Sequence, residues 1–180
     1  MTQQSARLTP LACLKCAAPV TAGVHEVAWV CGTCGQGHLL DEEKGLLTLD
    51  VFFNQNIPPG KTGRPFWVAL GQVRLEDRIT YKGNEGRAAQ EFWSAPRLFY
   101  VPAWECSLDE VLQMGSYLLR TPERMQPGSP APFLPVTTPP GDLQALAEFM
   151  IVSLEAERRD ALKTILFKVS LEPPQLWILQ

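Results

Sequence analysis

The chain has 180 residues, of which 46% are hydrophobic, and its formal net charge is −3. This length allows one or two domains with a real hydrophobic core, and the acidic balance argues against a protein that holds a polyanion on a basic surface. Residues 1–10 lack the apolar segment of an export signal, and no run reaches the roughly 18 apolar residues of a membrane helix. We therefore expect a cytoplasmic protein with no membrane segment and with a flexible N-terminus at residues 1–10.

Four cysteines near the N-terminus form the one pattern that specifies a chemistry. Cys13 and Cys16 make one Cys-x-x-Cys pair, Cys31 and Cys34 make a second, and fourteen residues separate the pairs. The separating segment is rich in β-prone residues and predicts a hairpin. Each pair lies on a tight turn, so four soft sulfur ligands converge at tetrahedral positions, which select zinc or iron. We expect one structural Zn²⁺ held by these four cysteines.

Residues 13–35 resemble a zinc ribbon, the module with four cysteines on two knuckles that many bacterial and archaeal proteins contain. The second knuckle, Cys-Gly-Thr-Cys-Gly, is typical of the family, whereas the first has Ala17 where glycine is common. The resemblance implies that Cys13, Cys16, Cys31 and Cys34 are the ligands of a closed site that stabilises the fold. No family is identified for residues 46–180.

Three other interpretations of the cysteines remain open. Disulfides need an oxidising compartment, which the absence of an export signal disfavours. An iron site of the rubredoxin type has similar spacing but a larger aromatic core than Trp29 supplies, and a redox Cys-x-x-Cys needs a strand followed by a helix. His25 and His38 are candidates to supplement the ligands. Because four cysteines already complete the site, we expect both histidines on the ribbon surface.

The predicted organisation is a zinc ribbon at residues 11–45 followed by an α+β domain at residues 46–180. The fold class is α+β, with a small N-terminal β ribbon and a mostly antiparallel β-sheet that carries two or three helices. We expect the second and third of the domain's strands to form a hairpin, and the last two to pair with each other. The predicted strands are residues 46–53, 65–73, 75–82, 98–101, 166–171 and 175–179.

The clearest helix covers residues 107–120, where Ser107 and Glu110 form a capping box and apolar residues recur at helical spacing. Residues 121–141 contain seven prolines and predict an extended proline-rich loop. A further helix begins at Leu143. Its apolar residues fit one long amphipathic helix that continues to Ile165, but the β-prone run at 149–152 favours an end near Ala147 and a strand over residues 148–156. The segment 87–95 fits a short helix without requiring one.

Patterns for catalysis are weak. Residues 46–180 contain no histidine, so a Cys106 nucleophile has no base nearby in sequence, and we expect this cysteine to be a buried small hydrophobe. The run Gly60-Lys61-Thr62 resembles the end of a phosphate-binding loop, but the prolines before it have no N–H to donate. Three acidic pairs are candidates for acid–base chemistry, but each has a structural explanation. We expect Glu76–Asp77 at a strand end, Asp109–Glu110 at a helix N-terminus and Glu155–Glu157 on a solvated face.

Aromatic residues and prolines supply the candidate recognition surfaces. The aromatic cluster between residues 66 and 104 either fills the core of the sheet or forms an exposed patch for a partner. Stacking of single-stranded nucleic acid on these rings would also need basic residues nearby for the phosphates. Six are present, and they fit a solvated face better than a binding groove: Arg64, Arg74, Arg78, Lys82, Arg87 and Arg97. Two Pro-x-x-Pro runs in the loop fit a covering segment or a docking segment.

The sequence favours a non-enzymatic cytoplasmic protein that binds zinc and acts as a scaffold or adaptor, with a protein as its partner. One alternative is a nucleic-acid-binding zinc-ribbon protein, which the acidic charge disfavours. The other is an enzyme of unrecognised type with a pocket of carboxylates, arginine and tyrosine in residues 66–104. The sequence sets neither the oligomeric state nor the identity of the partner.

Overall fold

The computed structural model describes residues 11–180, and the flexible N-terminus predicted at residues 1–10 lies outside the described residues. Within this range, eight strands form two sheets and three helices pack against the larger one. The strands β1 to β8 are Ala28–Val30, Gly37–Asp41, Gly45–Leu49, Val51–Phe53, Arg64–Thr80, Arg97–Pro102, Leu162–Leu171 and Gln175–Leu179. The helices α1 to α3 are Gly86–Trp93, Leu108–Arg120 and Leu143–Ala156. The predicted fold class, α+β with a small N-terminal sheet and a larger, mostly antiparallel one, is confirmed.

The strand predicted at residues 46–53 is two strands that belong to different sheets. Strand β3 pairs with β2 and completes the small antiparallel sheet β1-β2-β3, whereas β4 pairs in parallel with β8 in the large sheet. Exposed Asp50 separates the two strands. The small sheet thus continues past residue 45, and the division of the chain at that residue stays a prediction.

The hairpin predicted from residues 65–73 and 75–82 is wrong, because both segments belong to the single 17-residue strand β5. Residues 72–76 contain no glycine, proline, asparagine or aspartate to make a turn. A bulge between Leu75 and Asp77 adjusts the register instead. Strand β6 pairs with one edge of β5. Strands β8 and β7 pair with successive parts of β5, at residues 64–68 and 71–80.

The prediction that the last two strands pair with each other is wrong, because β7 and β8 both pair with β5. Both run antiparallel to β5, and together they form one interrupted line beside it. The interruption is Glu172-Pro173-Pro174, where the two prolines have no N–H to donate to a ladder, while Glu172 donates its N–H to Leu70 O at 2.8 Å. The prolines therefore break a strand rather than form a tight turn.

The strand predicted over residues 148–156 is also wrong, because α3 continues unbroken to Ala156. Its inner face, which includes Ala147, Met150 and Ile151, is fully buried. Helix α2 lies close against it because Gly115 leaves room for Met150. Packing of this face outweighs the weak β-propensity of residues 149–152. The capping box predicted for Ser107 and Glu110 at the start of α2 is confirmed.

The main core lies on the face of the large sheet that carries α1 and α3. Trp67 and Trp93 are only 1% and 2% exposed, so these aromatic residues fill the core, and they do not form a surface patch. The proline-rich segment covers this core, with Val136 fully buried. Ala28 of β1 belongs to the same core and bridges to Val136. The small sheet is therefore packed directly onto the larger one.

Candidate metal centre

The four cysteines predicted as ligands lie together at one end of the small sheet. All four sulfur atoms are within 4.8 Å of one another. The Sγ atoms of Cys13 and Cys34 are 3.5 Å apart, and those of Cys16 and Cys31 are 3.7 Å apart. A disulfide bond would bring two sulfurs to about 2.05 Å, so these are free thiols that can hold one metal ion. The arrangement is consistent with a zinc ribbon.

The two knuckles have the same backbone geometry. The N–H of Ala17 donates to Cys13 O, and the N–H of Gly35 donates to Cys31 O, both at 2.9 Å. The residue after each Cys-x-x-Cys is left-handed, with a φ of 58° at Ala17 and 74° at Gly35. The first knuckle therefore reaches the conformation that glycine favours while carrying an alanine there.

We expect Ala17→Gly to stabilise the metal-loaded protein and Gly35→Ala to destabilise it, each by about 0.5–1 kcal/mol. A left-handed conformation strains any residue with a Cβ, and the greater backbone entropy that glycine loses on folding offsets part of this strain in both variants. Chemical denaturation of both variants measures the two changes. Equal and same-signed shifts would contradict the matched geometry of the knuckles.

The prediction that both histidines lie on the ribbon surface is correct for His25, which is exposed, and wrong for His38. His38 lies on β2 and is fully buried. The Nε2 atom of His38 accepts the N–H of Leu14, within the first knuckle, at 3.1 Å. Its ring stacks on Trp29 with centroids 6.4 Å apart. His38 therefore supports the turn that carries Cys13, a role that the spacing of the cysteines does not reveal.

Local hydrogen bonds differentiate the thiols. The backbone N–H groups of Cys34 and Thr33 lower the pKa of Cys31 to about 6. The N–H of Ala18 lowers the pKa of Cys16, but the neighbouring thiols, Cys34 foremost, outweigh it and raise that pKa to about 12. One sulfur of the metal-free cluster thus keeps its proton beside a thiolate. A bound cation replaces such a proton, so metal binding releases it.

A second polar cluster lies inside the large domain, between β5 and the end of α3. Glu155 is fully buried, not on a solvated face as predicted. One of its oxygens accepts Trp93 Nε1–H at 2.9 Å, and the other accepts Nε–H of Arg78 and of Arg158, each also at 2.9 Å. The carboxylate of Glu155 turns inward only because α3 continues past residue 150, which its position in the sequence does not reveal.

Asp160 completes this cluster and was not singled out from the sequence. It forms a two-bond ion pair with Arg78 and accepts the N–H of Glu85 at 2.7 Å. The Arg78 hydrogen bond holds the pKa of Asp160 far below its usual range, and Asp160 in turn raises the pKa of Arg78. Each carboxylate oxygen is thus bonded to a neighbour, which is the pattern of a structural ion-pair network.

The other catalytic candidates do not join this network. Tyr100 is buried in a smaller apolar cluster with Phe66 and Leu118, where burial and then the charge of Glu123 raise its pKa to about 12. Cys106 is half-buried, and burial followed by the charge of Glu110 raises its pKa, which keeps the thiol protonated. In the glycine-lysine run, the N–H of Lys61 donates to Pro58 O at 3.1 Å within a turn.

Helix α3 presents a second apolar face to solvent. Phe149 is 55% exposed and Val152 is 40% exposed, and the small residues Ala145 and Ala156 beside them are also exposed. A helix that is apolar on both faces is usually covered on both. This stripe is the candidate contact surface of the described chain.

Within residues 11–180, no helix combines the length and the apolar character needed to cross a membrane. No protein-family model, curated protein or solved structure matches the chain. Three features of the described chain bear on its function: the four-cysteine cluster, the buried network around Glu155 and Asp160, and the exposed apolar surface of α3.

Proposed function

We propose that the chain is a non-enzymatic, zinc-binding protein of the cytoplasm that works by binding another protein as a scaffold or adaptor. The observation that carries the proposal is the closed cluster of four cysteine sulfurs. Four protein ligands fill a tetrahedral site completely, leaving no position for water or substrate, so the metal acts in folding and not in catalysis.

The spacing of the sulfurs supports zinc as the metal. Zinc–sulfur bonds of about 2.3 Å place the corners of a tetrahedron about 3.8 Å apart. This spacing is close to the 3.5 Å between the sulfurs of Cys13 and Cys34 and the 3.7 Å between those of Cys16 and Cys31. Zinc is the usual occupant of such a site. The reduced thiols also support a reducing compartment, since all five cysteines are free.

The polar network of the large domain supports a non-enzymatic role. A catalytic group needs capacity left for a substrate, whereas Glu155 and Asp160 direct their oxygens to Arg78 and its neighbours. The pocket that an enzyme would need in residues 66–104 also requires tyrosines near this arginine, but Tyr100 bonds instead to Glu123 O. The engagement of Arg78 and Tyr100 within the fold supports the non-enzymatic proposal over the enzyme alternative.

The nucleic-acid alternative loses part of its basic surface. Two of the six basic residues near the aromatic cluster are engaged within the fold: Arg78 in the buried network, and Arg97 above the Phe92 ring at 4.0 Å from its centroid. The net charge of −3 gives no general attraction to phosphates. A protein partner is favoured because the exposed stripe on α3 is apolar.

The test uses the tagged full chain to capture partners from native extract, with Phe149→Glu as the disrupting variant. We expect a specific protein, which includes an untagged second copy of the chain, to be retained by the wild type and lost by Phe149→Glu. Leu166→Glu is the matched control because Leu166 is 56% exposed, like Phe149, but lies on β7. Capture of nothing, or equal capture by all three proteins, would contradict the proposal.

A further inference from the structure

The exposed stripe on α3 extends over six positions that alternate by three and four residues. All six are exposed, and the line begins just before the helix and ends just after it: Asp142, Ala145, Phe149, Val152, Ala156 and Arg159. Steps of three and four residues make the seam through which two helices pack as a coiled coil. The seam is apolar along its middle and has opposite charges at its two ends.

This charge pattern selects one orientation for a pair of such seams. In an antiparallel pair, Phe149 faces Val152 of the second copy at the middle of the seam. On either side of this contact, Ala145 faces Ala156 of the second copy, so small side chains meet there. The same register places Asp142 opposite Arg159 of the second copy. A parallel pair would instead place like charges together at both ends, which is unfavourable.

Both terminal charges are available for such a contact. Neither Asp142 nor Arg159 forms an ion pair with another residue in the part of the chain that the structure describes. By contrast, the neighbouring Arg158 and Glu157 are each bonded within the chain. A two-fold axis through the middle of the seam would satisfy both charges twice, as closed symmetric dimers do.

We propose that two copies of this chain associate through α3 in an antiparallel, two-fold symmetric pair. The inference rests on the proposed function, because it identifies the protein partner proposed there as a second copy of this chain. At about 1.5 Å per residue the helical part of the seam, from Ala145 to Ala156, is about 17 Å long. A contact of one helix per subunit is smaller than a standard protein interface, so we expect a dimer that dissociates on dilution.

The first test is sedimentation velocity of the full chain over a wide range of concentration. We expect the wild type and Leu166→Glu to shift from monomer to dimer as concentration rises, and Phe149→Glu to stay monomeric because it places two carboxylates in the apolar middle of the seam. Circular dichroism checks that each variant is folded. A wild type that is monomeric throughout, or a Phe149→Glu variant that dimerises like wild type, overturns the proposal.

The second test fixes the orientation by charge reversal. Asp142→Arg and Arg159→Asp should each raise the dimer dissociation constant about tenfold, because each creates two like-charge contacts per dimer. The double variant should return it close to the wild-type value. Changed helix-end electrostatics cannot produce that rescue, since both unfavourable changes are present in the double variant. A double variant weaker than either single one overturns the antiparallel pair.

These outcomes also separate the inference from the proposed function. A monomeric wild type that still captures a different protein through Phe149 overturns the dimer and leaves the proposed function standing. A charge-rescued dimer of a protein that contains no zinc supports the dimer and removes the metal from the proposed function.

Discussion

Cys31→Ser is expected to abolish metal binding and to unfold the small sheet. Structural zinc binds zinc-finger peptides with an apparent free energy of about 10–16 kcal/mol, which is comparable to the whole stability of a typical domain, about 5–15 kcal/mol. The small sheet has little core of its own. Its apolar residue Ala28 packs into the core of the larger domain, so we expect the thermal transition of the whole chain to fall.

Cys106→Ser is the control for this prediction. Cys106 lies just before α2, outside the cluster, and is half-buried, so its loss should leave both metal content and the main thermal transition nearly unchanged. Thermal unfolding followed by circular dichroism, with and without a chelator, compares the two variants. If Cys31→Ser melts like Cys106→Ser and responds to chelator like the wild type, the cluster does not hold the fold together.

Glu155→Ala is expected to destabilise the chain by about 3–5 kcal/mol, because it removes a buried carboxylate that pairs with two arginines and leaves a buried donor without an acceptor. The change removes the acceptor of Arg78, Arg158 and Trp93 together. Arg78 keeps Asp160 as a partner, while the Trp93 indole N–H is left buried with no acceptor. Equilibrium unfolding in urea measures the loss.

Glu157→Ala is the matched control for this second prediction. Glu157 lies two residues further along the chain and pairs with Arg120, but both side chains are about half exposed, so its loss should cost at most about 1 kcal/mol. A double-mutant cycle between Arg78 and Glu155 isolates their coupling. Equal losses for Glu155→Ala and Glu157→Ala would show that the buried network does not stabilise the fold.

The features that the sequence could predict are those fixed by local chemistry. Two Cys-x-x-Cys turns converge because each turn positions its own sulfurs, and the capping box of Ser107 and Glu110 forms within a single turn of helix. Local composition also locates most strands of the large sheet, although residues 64–80 form one strand and residues 148–156 form none. It does not identify their partners, because β5 is long enough to bind three strands and the choice among them depends on the whole sheet.

The features that the sequence missed depend on burial by distant residues. Helix α3 gains its stability from a face packed against α2 and the sheet, which a single segment cannot reveal. The inward turn of Glu155 follows from that helix and from the position of Arg78, 77 residues away in the chain. His38 likewise contacts Leu14 across the ribbon, so its burial is not visible from the spacing of the cysteines.

The most direct test of the account is native mass spectrometry of the purified full chain together with elemental analysis of its metal. The account predicts a mass equal to the chain plus one zinc ion, and loss of that ion in Cys31→Ser but not in Cys106→Ser. A metal-free chain that keeps the wild-type thermal transition would contradict it, as would iron in place of zinc or a disulfide between any two of the four cysteines.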